Sequence, residues 1–258
     1  MASSWRAGCA VTDSRAMVLW VEVAAHAAAH GRPVSVADVC AVASRSAQLS
    51  GAWLAAASSG EPDFLMYVTD PVGEQLAELQ LTLGHGPCQD VLTSAAPVLA
   101  ADLDDEECSR RWPAFAPAAR RLGAGAVFVF PLIVGAIRAG MMGLYRTSAG
   151  PLLAGQLGDL LILADAATVM LLGSGPGHPQ DEDGAGLGGQ APDLALHRIE
   201  IDQATGMLTV QLGVSAAAAF ARLRAYAYAQ DRRLADVAAD IVTRRLRLHR
   251  DPGQDGGP

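Results

Sequence analysis

The spacing of apolar residues changes several times along the chain, and each change marks an element. From Ser14 to Ala29, Met17, Trp20, Val21 and Ala24 recur on one face of a predicted helix, which Gly31-Arg32-Pro33 closes. Ser35 to Ser46 predicts a second helix, with Ser35 as N-cap and Asp38 in the capping-box position three residues on. Ala52 to Ala57 and Phe64 to Thr69 read as strands around the polar turn Ser58 to Asp63, and Glu74 to Leu81 as a short helix. Further strands follow at Val98 to Ala101, Gly125 to Val134 and Ala136 to Arg146, the last two as a hairpin turning near Gly135. Leu152 to Leu172 predicts a long apolar helix. Strands in the middle with helices on either side predict an α+β fold, an antiparallel sheet with helices packed on one face.

The pattern then breaks. Gly173 to Asp193 is rich in Gly and Pro around an acidic cluster and buries too little apolar surface to order itself, so it reads as a flexible linker. Beyond it, three helices are predicted: Leu194 to Gln211 with Gly213 at its end, Ser215 to Ala229, and Arg233 to Leu248. The second carries Ala216, Phe220, Leu223 and Ala227 on one face; the third carries Leu234, Val237, Ala238, Ile241 and Val242. Leu194, Ile201 and Leu208 recur every seven residues, which fits either a dimer seam or intrachain packing. Asp251 to Pro258 reads as a frayed tail.

Charge sharpens this division. The net charge is −8, yet residues 194–250 hold nine Arg against five acidic residues, while residues 1–193 hold ten Arg against twenty. A basic module on an acidic chain points to a polyanion partner for that module alone, against the simpler reading of a solvated helical face. Cys9, Cys40, Cys88 and Cys108 are widely spread, with no CxxC pair and no His at ligand spacing, so neither a metal site nor a cofactor is expected. No run of eighteen apolar residues occurs, and Met1 to Ala10 lacks the features of a signal peptide, so a cytoplasmic protein without membrane partners is expected.

Two sets of motifs carry a family resemblance. Leu83-Gly84-His85-Gly86-Pro87-Cys88-Gln89-Asp90, Pro97-Val98, Asp102-Leu103, Arg111-Trp112-Pro113 and Phe130-Pro131-Leu132 resemble the actinobacterial GAF domains that precede ANTAR domains. That resemblance covers residues 14–172 and implies a six-stranded antiparallel sheet that holds a small ligand against its covering helices. Ile201 to Leu208, Ala219-Phe220, Leu223-Arg224, Ala227 and Leu234 to Ala238 resemble the ANTAR domain over residues 194–250. It implies a three-helix module that binds tandem RNA stem-loops in nascent transcripts, commonly as a homodimer, and opposes termination. Many ANTAR domains carry Lys where this chain has Thr205 and Met where it has Thr209, so one basic contact is missing. The expected architecture is a GAF-type α+β sensory domain, then the linker 173–193, then a small all-α ANTAR domain.

The candidate RNA contacts are Arg222, Arg224, Tyr226, Tyr228, Arg232, Arg233 and Arg244. Arg222 and Tyr226 are four apart on one helix, as are Arg224 and Tyr228, and RNA loops offer bases that stack on rings and guanidinium planes. Tyr226 also lies near the apolar stripe. In the larger module, His85, Cys88, Trp112, Phe128 and Phe130 are the candidates to meet an unknown small-molecule signal, a protein signal being the other possibility. Trp112, Phe128 and Phe130, like Phe115, Met141 and Tyr145, read equally as core. Cys88 falls in the first turn of a helix begun by Pro87, where the dipole lowers a thiol pKa, unless it is a buried apolar residue. No catalytic residue is assigned, although GAF-type reductases of methionine sulfoxide and helix-turn-helix DNA binders are alternative readings. Glycine-rich linkers transmit no rigid rotation, so coupling through dimerisation or electrostatic occlusion is expected.

Overall fold

The computed structural model describes residues 3–58, 61–173 and 191–249. The bulk of the predicted linker, 174–190, and the predicted tail 251–258 lie outside the described residues. Helices α1 (Ser3–Ala29) and α2 (Val36–Ser46) precede strands β1 (Gly51–Ser58) and β2 (Glu61–Val68). Then come α3 (Pro71–Leu83), α4 (Pro87–Ser94), β3 (Val98–Ala100), α5 (Glu106–Arg111) and α6 (Phe115–Arg121). β4 (Ala126–Val134) and β5 (Ile137–Arg146) form the predicted hairpin, and α7 (Ala154–Gly173) follows. The basic module holds α8 (Ala191–Leu212), α9 (Ala216–Ala229) and α10 (Leu234–Val242).

The sheet is antiparallel throughout, in the order β2-β1-β5-β4-β3. Its five strands among the described residues are one fewer than the family resemblance implied. Helices cover both faces rather than the single face expected. The reason is visible in β4, where Ala126 to Phe130 are all fully buried, so neither face is left for water. Ala126, Phe128, Phe130 and Leu132 pack with Ala52, Leu54, Met142 and Leu144 beneath α1, α2 and α7. Val127 and Val129 pack on the opposite side with Trp53, Met141 and Tyr145, beneath α3 to α6.

The face of α1 is a correction. It buries Leu19, Val23 and Ala27, and leaves Met17, Trp20 and Val21 exposed at 68%, 40% and 61%. Apolar residues surround this Ala-rich helix, so spacing alone does not select a side. What selects it is Asp38 on α2, a fully buried carboxylate. Asp38 accepts from Arg32 Nη1 and Nη2 at 2.8 Å each and from the Ser35 backbone N at 2.8 Å. His26 Nδ1, on α1, lies 2.7 Å from Asp38 Oδ1. The predicted capping box thus also anchors α1. α7 has the length and mean hydropathy, 1.5, to cross a membrane. It packs Leu160, Leu163, Ala164 and Ala167 on the sheet, and its buried Asp159 pairs with Arg15.

α8, α9 and α10 enclose a third core of Ala204, Leu208, Leu212, Ala219, Leu223, Ala227, Leu234, Val237, Ala238 and Ile241. Leu208 therefore serves intrachain packing, with Ile201 packed against the same core. α9 and α10 follow the predicted stripes, except that Ala216 is exposed. α10 ends at Val242, six residues before the expected Leu248. Arg244 adopts a φ of 60°, its N–H bonds Ile241 O, and the next N–H, of Arg245, reaches back to Asp240 O at 2.8 Å. That is a Schellman stop, made with arginine where glycine is usual. α8 also lies against β2, and Leu81 of α3 packs into the helical core, so the two modules touch.

Candidate nucleic-acid interface

The segment linking α3 to α4 sets the geometry where the modules meet. Asp70 caps α3: its Oδ1 accepts from Val72 N and Gly73 N at 3.0 Å each and from the Tyr145 hydroxyl at 2.7 Å. Gly84 ends α3 in the left-handed region, φ 62°, and Pro87 starts α4 two residues after His85. A side chain at Gly84 would collide with the Arg224 guanidinium, so the backbone there is bared for a close approach by α9. Arg224 Nε donates to Thr82 O at 3.1 Å, and its guanidinium stands 5.6 Å from the Phe220 ring.

Arg233, at the N-cap of α10, bridges two acids of α3. Its Nη2 lies 2.5 Å from Glu74 Oε1 and its Nε 2.7 Å from Glu78 Oε2. Burial pulls this guanidinium pKa down, but Glu78 and Glu74 outweigh it and hold Arg233 above the ordinary arginine range. Glu78 Oε1 also accepts from Ala235 N, 3.1 Å away in the first turn of α10. Sequence reading missed Glu74 and Glu78. Their signal was two like charges four apart on one helix face, an arrangement that repels unless a cation sits between them.

The seven candidate RNA residues do not share one face. Arg222 and Tyr226 are half-buried, Tyr226 against the helical core, and Tyr228 is 60% exposed. Positions 222 and 224 stand about 200° apart around the helix, so the two Arg–Tyr pairs point to nearly opposite sides. Arg224 and Arg233 face α3. Arg232 and Arg245 converge on Asp240, each at 2.7 Å. Hydrogen bonds from Arg232 and then Arg245 hold that carboxyl below its ordinary pKa. Arg244 lies beyond the helix rather than on it. With Arg247 it rims an open groove of about 520 Å³ floored by Met207, Val210, Ile241 and Leu246. Thr205 and Thr209 turn their hydroxyls back to Ile201 O and Thr205 O, at 2.8 and 2.9 Å.

The five candidate ligand residues are divided by the sheet. Cys88 and Trp112 belong to one core, Phe128 and Phe130 to the other, and His85 is exposed. Alternation along β4 forces the split, because 128 and 130 point away from the side that holds Cys88. Cys88 is buried, and burial pushes its thiol up to about 12 against the smaller opposing effects of Trp53 and Gln80. Desolvation therefore overrides the α4 dipole. Gln80, buried on α3, accepts from Cys88 N at 2.8 Å and so caps α4. Burial raises the Cys108 thiol too, with Asp105 and Glu107 adding to it. Asp90 Oδ2 receives Arg111 Nε at 2.6 Å and Trp112 Nε1 at 3.0 Å, joining two of the quoted motifs. Among the described residues no three His, Cys, Asp or Glu gather as a metal site.

With this geometry in place, residues 195–242 match the ANTAR domain, a span that coincides with α8 to α10. Solved structures similar to the chain include two GAF domains from phosphoenolpyruvate-protein phosphotransferases. The Coxiella burnetii domain is 16% identical, with a TM-score of 0.45, covering 61% of this chain and 90% of that one. The Acinetobacter domain is 11% identical, with a TM-score of 0.44, covering 63% and 94%. The second GAF domain of DevS from Mycobacterium smegmatis is 20% identical, with a TM-score of 0.37, covering 52% and 88%. No curated protein matches the chain in sequence.

Proposed function

We propose that the chain is a cytoplasmic, RNA-binding antitermination regulator, in which a GAF-type sensory domain over 14–172 governs an ANTAR domain over 194–250. The observation that carries this reading is the ANTAR match, which falls on a module with its own core and an excess of arginine. The module binds paired stem-loops through Arg and Tyr side chains on α9 and the α9–α10 turn, where phosphates take guanidinium groups and bases take the exposed Tyr228 ring. The exposed apolar stripe Met17, Trp20 and Val21 on α1 supports a homodimer. The signal is a small molecule or a protein received by the sensory domain.

Titrating the full chain with an RNA of two tandem stem-loops tests the reading. Expected are saturable binding that weakens steeply with salt, and loss of affinity in Tyr228→Ala and Arg222→Gln. Equal affinity for duplex DNA, or binding indifferent to salt, would refute it. A helix-turn-helix reader of DNA gains no support, since α10 presents exposed Asp236 and the Arg-paired Asp240. Thiol redox chemistry at Cys88 meets a thiol that burial keeps protonated.

A further inference from the structure

The contact between α3 and the start of α10 has the chemistry of an anion site already filled. One carboxylate, Glu78, takes the backbone N–H of Ala235 in the first turn of α10 and the Nε–H of Arg233. A helix N-terminus beside an arginine is the arrangement that binds phosphate oxygens. Glu74 takes the other edge of the same guanidinium, and His197 Nδ1 lies 3.8 Å from Glu74 Oε1. Arg224 is turned onto the Thr82 carbonyl beside it, and Leu81 is inserted into the helical core. Two of the seven candidate RNA residues are therefore committed to the sensory module, and both to one helix.

We propose that α3 is an intramolecular competitor for RNA: Glu74 and Glu78 occupy the phosphate position at the α10 N-terminus, closing the reader until the sensory module releases it. The inference rests on the RNA-binding reading and deepens it by assigning regulation to named side chains. Tethering gives the acids an effective concentration on the order of millimolar, which RNA at micromolar concentration does not match. A signal that displaces α3 from α9 frees Arg233, Arg224 and the Ala235 N–H together.

The test compares the full-length wild type, Glu74→Gln/Glu78→Gln, and the same pair with Arg233→Gln, by RNA titration and by hydrogen exchange. Expected in the Gln pair is an RNA affinity about tenfold higher, within the usual range of coupling between sites. Exchange at Leu81 to Gly84 and along α9 quickens. Adding Arg233→Gln keeps the fast exchange and abolishes the gain. Where the wild type binds RNA, fast exchange without a gain in affinity overturns the proposal, as does unchanged exchange. If no variant binds RNA, the RNA reading falls separately. Exchange alone then decides the clamp: faster in the Gln pair upholds it, unchanged overturns it.

Discussion

Replacing Asp38 by Ala removes the group on which α1, α2 and the loop between them converge. The carboxylate is fully buried, whereas the side chains it holds, Arg32 and His26, keep 25% and 16% of their surface in contact with water. Breaking a wholly buried pair costs about 3–5 kcal/mol, and partial hydration of the stranded Arg32 places this one near about 3 kcal/mol. For a module of this size that lowers Tm by roughly 6–12 °C. Asp38→Asn keeps an acceptor but loses the charge, and its loss is smaller. Burial pushes the Asp38 carboxyl up, yet His26, Ser35 and Arg32 together hold it below its ordinary pKa. Its stabilisation is therefore complete above about pH 4, the unfolded value, and lost as pH falls through the lower folded one. Thermal melts of both proteins from about pH 3 to about pH 7 check this: the Ala variant melts lower at neutral pH and converges on the wild type in acid. A Tm drop under about 2 °C at neutral pH would refute the assignment of α1 docking to this carboxylate.

Two further outcomes follow from packing. Gly143→Ala places a methyl 2.0 Å from Trp53 Cε2, inside the core between α3 and the sheet. Overpacking of this kind costs about 1–3 kcal/mol or more, and urea denaturation with an unshifted midpoint would contradict the close approach of β5 to Trp53. Burial pushes the Cys88 and Cys40 thiols well above the ordinary range and removes them from solvent, so iodoacetamide leaves both unmodified until the protein is unfolded. Mass spectrometry of the labelled native protein measures this, and rapid labelling of Cys88 is the opposing result.

The elements whose signals are local were legible. The β4–β5 hairpin, the Ser35–Asp38 box, and the buried stripes of α9 and α10 lie where the spacing predicts them. The unbroken apolar run of β4 carried its burial on both faces too, but the expectation of helices on a single face did not use that signal. The α1 face was not legible, because Asp38 selects it from another helix. α5 and α6, of six and seven residues, are too short to display a period. The early stop of α10 depends on Arg244 adopting a conformation that arginine seldom takes. Among the candidate site residues, the chemistry was readable and the grouping was not. Phe128 and Cys88 were grouped as ligand candidates yet lie on opposite sides of a sheet, and Arg233 finds its partners 155 and 159 residues away.

β2 is an outer strand of the sheet, and α8 lies against it. An outer strand carries backbone donors and acceptors that a neighbouring molecule can pair with, and natural folds shield such rows. On the clamp proposed above, release of the helical module has a second effect, at the sheet edge rather than at the arginines that face α3. It would take α8 away from β2 and bare more of an outer strand to a neighbouring molecule. The released form would for that reason self-associate more readily than the closed one.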